Sequence, residues 1–147
     1  MIAIADTSGL LCLFNRTDPD HQAARKAADA CSLLVATPLA LTEVHQVVTV
    51  RAGRRAADAV LRSLTRRVRQ LRLALAEVTP DLLDAAVAVR ARYDSLDLDL
   101  VDAVNVCLAA EYQTDAVLTR DLRDFRAVRP IGTAHTHFRI LPDDLGG

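Results

Sequence analysis

The segment DLVDAVNVCLAA, residues 99–110, is almost entirely apolar and favours a buried helix. After Asp99, its only polar residues are Asp102 and Asn105, which lie three apart and therefore share one helix face. A buried carboxylate and amide cost free energy unless something compensates them, and a bound cation would do so. The alternative interpretation is a helix start, with Asp99 as the N-cap and Asp102 as an acid of the first turn.

The composition is that of a globular protein with one domain, residues 1–147. The net charge of −1 provides no overall field toward nucleic acid or a membrane. Cys12, Cys31 and Cys107 lie in apolar runs, so we expect buried free thiols in a reducing compartment. The sequence shows no signal-peptide pattern and no apolar run long enough to cross a membrane. We therefore expect a cytoplasmic protein with no membrane partner.

Strands and helices are predicted to alternate along the chain. The predicted strands are Ile2–Ala5, Leu33–Ala36, Leu71–Val78, Ala116–Thr119 and an edge strand, Phe138–Leu141. The predicted helices begin near Leu10, at Pro19, at Pro38, at Arg54, at Pro80 and at Asp99. This alternation predicts an α/β fold, a three-layer α/β/α sandwich with a central, mostly parallel sheet.

Acidic residues from separate segments are predicted to meet at one edge of this sheet. Asp6 and Asp121 follow predicted strands, Glu43 lies early in the helix after Leu33–Ala36, and Asp102 lies near a helix start. Sites in open α/β sheets form outside the carboxyl ends of the strands. Clustered carboxylates repel and need a counter-charge, and oxygen ligands suit Mg²⁺ or Mn²⁺. Such a site would bind a phosphate oxygen, lower the pKa of water and stabilise a leaving alkoxide, which predicts phosphodiester hydrolysis.

Short motifs in this order resemble those of PIN domains, and more narrowly those of VapC-type toxin ribonucleases of type II toxin–antitoxin systems. The motifs are Ile4–Ser8, Pro38–Val44, Leu100–Asn105 and Leu118–Phe125, and the similarity in order and spacing covers essentially the whole chain. The resemblance implies a PIN-like fold and a Mg²⁺-dependent endoribonuclease in which Mn²⁺ can replace Mg²⁺. It also implies an RNA substrate, such as a tRNA or an rRNA, a homodimer, and inhibition by a small antitoxin.

The resemblance also assigns roles to individual residues. It implies that Asp6, Glu43, Asp102 and Asp121 are the catalytic and metal-binding acids, and that Ser8 is a supporting hydroxyl. Asp102 fits the motif better than Asp97 or Asp99 because an alanine follows it directly and Asn105 follows three residues later. Asn105 would lie behind the acids. Asp124 matches an additional acid of the family, and the alternative is that it is an acid on a helix surface.

Other functions fit an acidic pocket less well. A non-catalytic signalling domain that accepts a phosphoryl group needs a lysine after a late strand, and the only lysine is Lys26 in an early helix. A haloacid-dehalogenase-like phosphatase needs a second aspartate where Ser8 stands. An RNA-binding module without activity would not need all four acids.

Basic residues and histidines carry further expectations. The arginine-rich region 51–72 would contact RNA phosphates or an acidic antitoxin surface, or would simply face solvent. His21 and His45 are expected at the surface. We expect His135 and His137 to lie in a polar loop rather than to bind a metal.

Overall fold

The sheet has five strands, and all of its neighbouring strands are parallel. We describe residues 1–146 of the protein from a computed structural model. The strands are β1 (Ile2–Ala5), β2 (Leu33–Ala36), β3 (Leu73–Leu75), β4 (Ala116–Leu118) and β5 (Arg139–Leu141). Their order is β3-β2-β1-β4-β5, so the chain builds outward from β1 first to one side and then to the other. The strand order therefore reverses between β1 and β4, the point where open α/β sheets form their sites.

Helices cover both faces of the sheet. They are α1 (Thr7–Phe14), α2 (His21–Ala30), α3 (Pro38–Ala52), α4 (Arg54–Arg69), α5 (Pro80–Arg92), α6 (Leu100–Glu111) and α7 (Leu122–Ala127), with a 3₁₀ turn at Asp94–Leu96. Helices α1 to α4 pack on one face, and α5 to α7 pack on the other. This arrangement confirms the predicted three-layer α/β/α sandwich.

The strands are apolar on both sides because each side faces a helical layer. Ile4, Val35 and Val117 belong to the core beneath α5 and α6. Leu34 and Leu118 belong to the core beneath α1 to α4. All of these side chains are buried. The sheet is therefore the central layer between two separate hydrophobic cores.

Side chains begin the helices that flank the site. Thr37 accepts a hydrogen bond from the N–H of Ala40 at the start of α3 (3.3 Å), just before Pro38. Asp99 Oδ1 accepts from the N–H of Asp102 at the start of α6 (2.8 Å). These contacts satisfy backbone donors that the first turn of a helix leaves free. The N-cap predicted at Asp99 is confirmed.

Several boundaries differ from the predicted ones. Helix α1 begins at Thr7 rather than near Leu10, and α2 begins at His21, so Pro19 precedes the helix. The strand predicted at Leu71–Val78 contains only Leu73–Leu75, because Leu71 has a φ of 59° and terminates the turn after α4. The strands predicted at Ala116–Thr119 and Phe138–Leu141 are each one residue shorter.

The histidine expectations were wrong in one case. His21 is buried rather than on the surface, because its Nδ1 lies 3.0 Å from the carbonyl oxygen of Cys12. His45 is half-buried, and its Nε2 lies 2.8 Å from Asp58 Oδ1.

Cys12, Cys31 and Cys107 are buried and free, as predicted. Within residues 1–146, no helix combines the length and the apolar character that crossing a membrane requires.

Candidate active site

The carboxyl ends of β1 and β4 lie side by side. The N–H of Asp6, directly after β1, donates to the carbonyl oxygen of Leu118 at 2.9 Å. Asp6 and Thr119 therefore leave neighbouring strands at the same edge of the sheet. Helix α6 packs against this edge, and its buried first turns bring Asp102 and Asn105 to the same place.

Two side chains fix the carboxylate of Asp6. Its Oδ1 accepts a hydrogen bond from Asn105 Nδ2 (3.1 Å), and its Oδ2 accepts one from Thr119 Oγ1 (2.8 Å). Asp6, Asn105 and Thr119 are all buried. The carboxylate is therefore held in a single orientation by donors on α6 and at the end of β4.

The hydroxyl of Thr119 connects three parts of the site. Because a hydroxyl has one hydrogen, and Thr119 donates it to Asp6, Thr119 Oγ1 accepts from Ser8 Oγ (3.1 Å) and from the N–H of Asp121 (2.9 Å). Ser8 Oγ in turn accepts from the N–H of Arg120 (2.9 Å). Our sequence reasoning named Ser8 and missed Thr119. The available signal was a polar residue at the end of a buried strand, two positions before Asp121.

Three carboxylates form a compact cluster beside these bonds. Asp102, Asp121 and Asp124 each place a carboxylate oxygen within 4.8 Å of the others. Asp121 is the N-cap of α7 and accepts a hydrogen bond from the N–H of Asp124 at 3.4 Å, which brings the two side chains together. The acid cluster, as we call these three residues, therefore includes the residue that the sequence suggested as an additional acid.

Glu43 lies outside the acid cluster. Its Oε1 accepts a hydrogen bond from Thr7 Oγ1 at 2.6 Å, so α3 is connected to the residue that follows Asp6. Of the four acids predicted to meet, the structure joins Asp102 and Asp121 directly. It connects Asp6 to Asp121 through Thr119. It brings Glu43 only to Thr7, the residue that follows Asp6.

Burial and mutual repulsion change the acidity of this site. Burial raises the pKa of Asp6 to about 6, and the charges of Asp99 and Asp121 add to the effect, while the hydrogen bond from Thr119 opposes it. Burial, followed by the charges of Asp6 and Asp99, raises the pKa of Asp102 to about 8. Burial and the charge of Asp121 also raise the pKa of Asp124. At neutral pH the site therefore favours either protons or a bound cation.

The donor set suits a hard divalent cation. Carboxylate oxygens are the preferred ligands of Mg²⁺ and Mn²⁺. The Oδ1 atom of Asn105 is buried and has no hydrogen-bond partner among the described residues, although such atoms are normally paired. A cation with its water shell would compensate both the clustered charges and this unpaired oxygen.

Comparisons with known proteins agree with this geometry. A family model described as PIN domain matches residues 3–129. Ribonuclease VapC26 of Mycobacterium tuberculosis is 36% identical over 140 residues, which are 95% of this chain and 99% of that protein. VapC20 of the same organism, a sarcin–ricin loop cleaving toxin, superimposes with a TM-score of 0.71 at 23% identity, over 84% of this chain and 92% of its own. A toxin–antitoxin complex from Klebsiella pneumoniae gives a TM-score of 0.62 at 21% identity, over 86% and 92%.

The family match covers most of the chain, and this protein belongs to the PIN-domain family. PIN nucleases depend on a metal ion, and the acid cluster offers the type of ligand that such an ion requires. Within the family the chain is a VapC-type toxin endoribonuclease, which hydrolyses RNA phosphodiester bonds as part of a toxin–antitoxin module. The predicted family and activity are therefore confirmed, whereas the roles of individual residues remain predictions.

Proposed function

We propose that Asp6, Glu43, Asp102 and Asp121 are the catalytic acids, with Asp124 as an additional ligand, and that the resident metal is Mg²⁺ or Mn²⁺. The observation that carries this proposal is the acid cluster, whose carboxylate oxygens lie within 4.8 Å of one another. When bound, such a cation polarises a phosphate oxygen and lowers the pKa of water. Glu43, oriented by the 2.6 Å hydrogen bond from Thr7, would accept the proton of the attacking water.

RNA binding at this site requires positive charge near the acids. Arg51, Arg54, Arg55 and Arg62 are exposed, and none of them forms an ion pair within residues 1–146. They lie on α3 and α4, and α3 also carries Glu43. The chain has only 3% aromatic residues, so base stacking contributes little. We place RNA phosphates along these arginines, with a structured RNA such as a tRNA or an rRNA as the substrate.

A small antitoxin is the proposed protein partner. A groove of about 570 Å³ runs between α1, α3 and α4, and it reaches Ser8 at the site. Its lining is largely apolar, including Phe14, Val48 and Val60, and Arg51 and Arg120 also line it. An apolar antitoxin segment with acidic residues would fit this lining and would cover the approach to the acids.

One surface of the protein suits the homodimer that the family resemblance implies. A cleft of about 410 Å³ between α5 and α6 is lined by apolar residues such as Leu82 and Ile131. Asp81, in the first turn of α5, and Arg92, in its last turn, line the same cleft. An interface with two-fold symmetry is self-complementary, so this cleft offers both members of an Asp81–Arg92 pair to a second copy. Light scattering of the purified protein measures this state.

Cleavage of a pool of cellular RNA tests the proposed site. We expect Mg²⁺-dependent cuts at a few positions, with none in EDTA. Asp102→Asn should lower the cleavage rate by about 100-fold or more, because the site loses a carboxylate that faces the metal. The matched control is Asp84→Asn on the exposed surface of α5, which should cleave like the wild type. Wild-type cleavage by a folded Asp102→Asn protein would disprove the assignment.

A further inference from the structure

Arg120 connects the acid cluster to two distant segments of the chain. It lies between Thr119 and Asp121, and its N–H donates to Ser8 Oγ. Its Nη1 donates to Asp143 Oδ1 at 2.6 Å, and its Nη2 donates to Asp20 Oδ2 at 2.9 Å. A single guanidinium therefore bridges the carboxylate that precedes α2 and a carboxylate in the turn after β5.

The segment that Arg120 anchors has little support from the sheet. The last backbone hydrogen bond that continues the pairing of β4 with β5 runs from the N–H of Thr119 to the carbonyl oxygen of Leu141 at 3.1 Å. Beyond it, the N–H groups of Arg120 and Asp121 donate to the side-chain oxygens of Ser8 and Thr119 rather than to a neighbouring strand. This segment nevertheless carries two of the three carboxylates of the acid cluster.

The charges around this segment oppose its position. Asp102, Asp121 and Asp124 repel one another at the distances observed. Arg120 pairs with Asp20 and Asp143, which lie outside the acid cluster, so it restrains the segment without neutralising the carboxylates of the cluster. Positive charge that paired directly with Asp121 or Asp124 would compete with a metal ion for the same oxygens.

We propose that Arg120 is a positioning residue, whose ion pairs with Asp20 and Asp143 hold residues 119–124 in place and thereby set the affinity of the acid cluster for its divalent cation. This inference rests on the metal site proposed above. Asp143 lies beyond residue 129, where the match to the family model ends. The C-terminal turn of this chain thus contributes to a site formed elsewhere.

A purely structural role would give a different result. The side chains of Arg120, Asp20 and Asp143 are 29%, 48% and 34% exposed. Ion pairs this exposed contribute little to global stability. Loss of Arg120 should therefore change metal binding far more than it changes the melting temperature.

The test is isothermal titration calorimetry of the purified full chain with Mn²⁺ alone, which measures the affinity directly. For Arg120→Gln we expect affinity for Mn²⁺ to fall about tenfold or more, as for other changes behind metal ligands. The melting temperature in EDTA should change by no more than about 4 °C. RNA cleavage at saturating Mn²⁺ should approach that of the wild type. Arg120→Lys should give an intermediate affinity, because a single ammonium group cannot reproduce the planar, two-nitrogen geometry that joins both carboxylates.

Arg126→Gln is the matched control. Arg126 pairs with Asp144 at 2.7 and 2.8 Å in the same C-terminal turn, but it lies in the last turn of α7, and within residues 1–146 it forms no ion pair with Asp20 or Asp143. It should bind Mn²⁺ like the wild type. If Arg120→Gln is too unstable to titrate, the double variant Asp20→Asn and Asp143→Asn removes the same pairs and should show the same loss.

Wild-type Mn²⁺ affinity in Arg120→Gln would overturn the positioning role while leaving the proposed metal site intact. An equal loss in Arg126→Gln would also overturn it, since the effect would then follow from loosening the C-terminal turn in general. Absence of Mn²⁺ binding by the wild type itself would instead refute the metal site, and the inference would fail with it.

Discussion

The hydroxyl of Thr119 forms hydrogen bonds with three groups, two of which lie 111 and 113 residues away in the sequence. It donates to Asp6 and accepts from Ser8 and from the backbone of Asp121. The side chain is fully buried, so water cannot replace these bonds. The relative positions of β1, α1 and the segment before α7 therefore depend on one oxygen atom.

Replacing this hydroxyl should damage both stability and cleavage. In Thr119→Val, the buried groups of Asp6 and Asp121 lose a partner, which we expect to lower the free energy of unfolding by about 1–3 kcal/mol. The rate of RNA cleavage should fall more than tenfold, since the Asp6 carboxylate loses one of the two side-chain donors that fix its orientation. Thr119→Ser should keep most of both. Denaturant unfolding and a cleavage assay measure these effects.

Thr114→Val is a suitable control for this prediction. Thr114 is also buried, and its hydroxyl donates to the carbonyl oxygen of Ile2 at 2.6 Å, at the opposite end of the same two strands. This variant should lose stability but cleave RNA normally when folded. An equal loss of cleavage would mean that Thr119 acts only through the stability of the sheet.

Residue-level patterns predicted the acids better than their supporting groups. The positions of Asp6 and Asp121 could be predicted because residues that directly follow neighbouring parallel strands meet at one edge of the sheet. Thr7 and Thr119 could not, because threonine is common in β-strands and at helix ends, and only the three-dimensional arrangement shows which carboxylate each one meets. The helix-start interpretation of Asp102 is confirmed, since Asp99 accepts a hydrogen bond from its N–H. Its side chain is buried beside other acids, and the metal-binding interpretation stays a prediction.

Helix α1 packs unusually close to strand β4. A Cβ atom placed on Gly9 would lie 2.2 Å from the carbonyl oxygen of Leu118, and backbone cannot move aside as a flexible side chain can. The same helix carries Thr7 and Ser8 in its first turn. The close approach of helix and strand is therefore what brings these hydroxyls to the site.

Gly9→Ala should destabilise the protein. Helix propensity alone predicts the opposite, because alanine in a helix is more stable than glycine by about 1 kcal/mol. The contact with Leu118 should outweigh that gain and cost about 1–3 kcal/mol by overpacking. We expect a melting temperature several degrees lower, and a rise would show that α1 can move away from β4 without cost.

The strands and helices were predicted more reliably than the residues at which they begin and end. The strands and helices alternate as expected because each type of element has its own spacing of apolar residues along the sequence. Leu71 and His21 show why some limits were missed. Leu71 adopts a positive φ although it is not glycine, and His21 is buried by a hydrogen bond to the backbone of Cys12. The N–H groups of Leu71 and Arg72 donate to the carbonyl oxygens of Val68 and Arg67, a helix ending that usually requires glycine. The burial of His21 results instead from packing between α1 and α2, which local sequence does not encode.

The buried acids make the stability of the folded protein depend on pH. The pKa of Asp6 is about 6 and that of Asp102 about 8 in the folded protein, against an ordinary value of 3.8. The folded protein therefore binds protons more tightly than the unfolded chain does. Without metal, this contribution to the free energy of unfolding is complete below about pH 4 and is lost as the pH rises toward 8.

Thermal melts in EDTA should therefore show a melting temperature that decreases between about pH 5 and pH 8. Added Mg²⁺ should reverse this decrease near the upper limit, because a cation then takes the place of the protons. Asp102→Asn should melt higher than the wild type at pH 8 and should show a flatter pH profile. The same slope in wild type and variant would mean that these carboxylates do not govern it.

The order of the strands in the sheet has a consequence for the cell that makes this toxin. Asp6 is synthesised near the beginning of the chain, whereas Asn105, Thr119 and the acid cluster are synthesised in its last third. Strand β4 joins the sheet beside β1 only after α1 to α6 have been made. A growing chain on the ribosome therefore cannot assemble the proposed nuclease site before residues 102–124 have been made, and shorter nascent chains carry no such site.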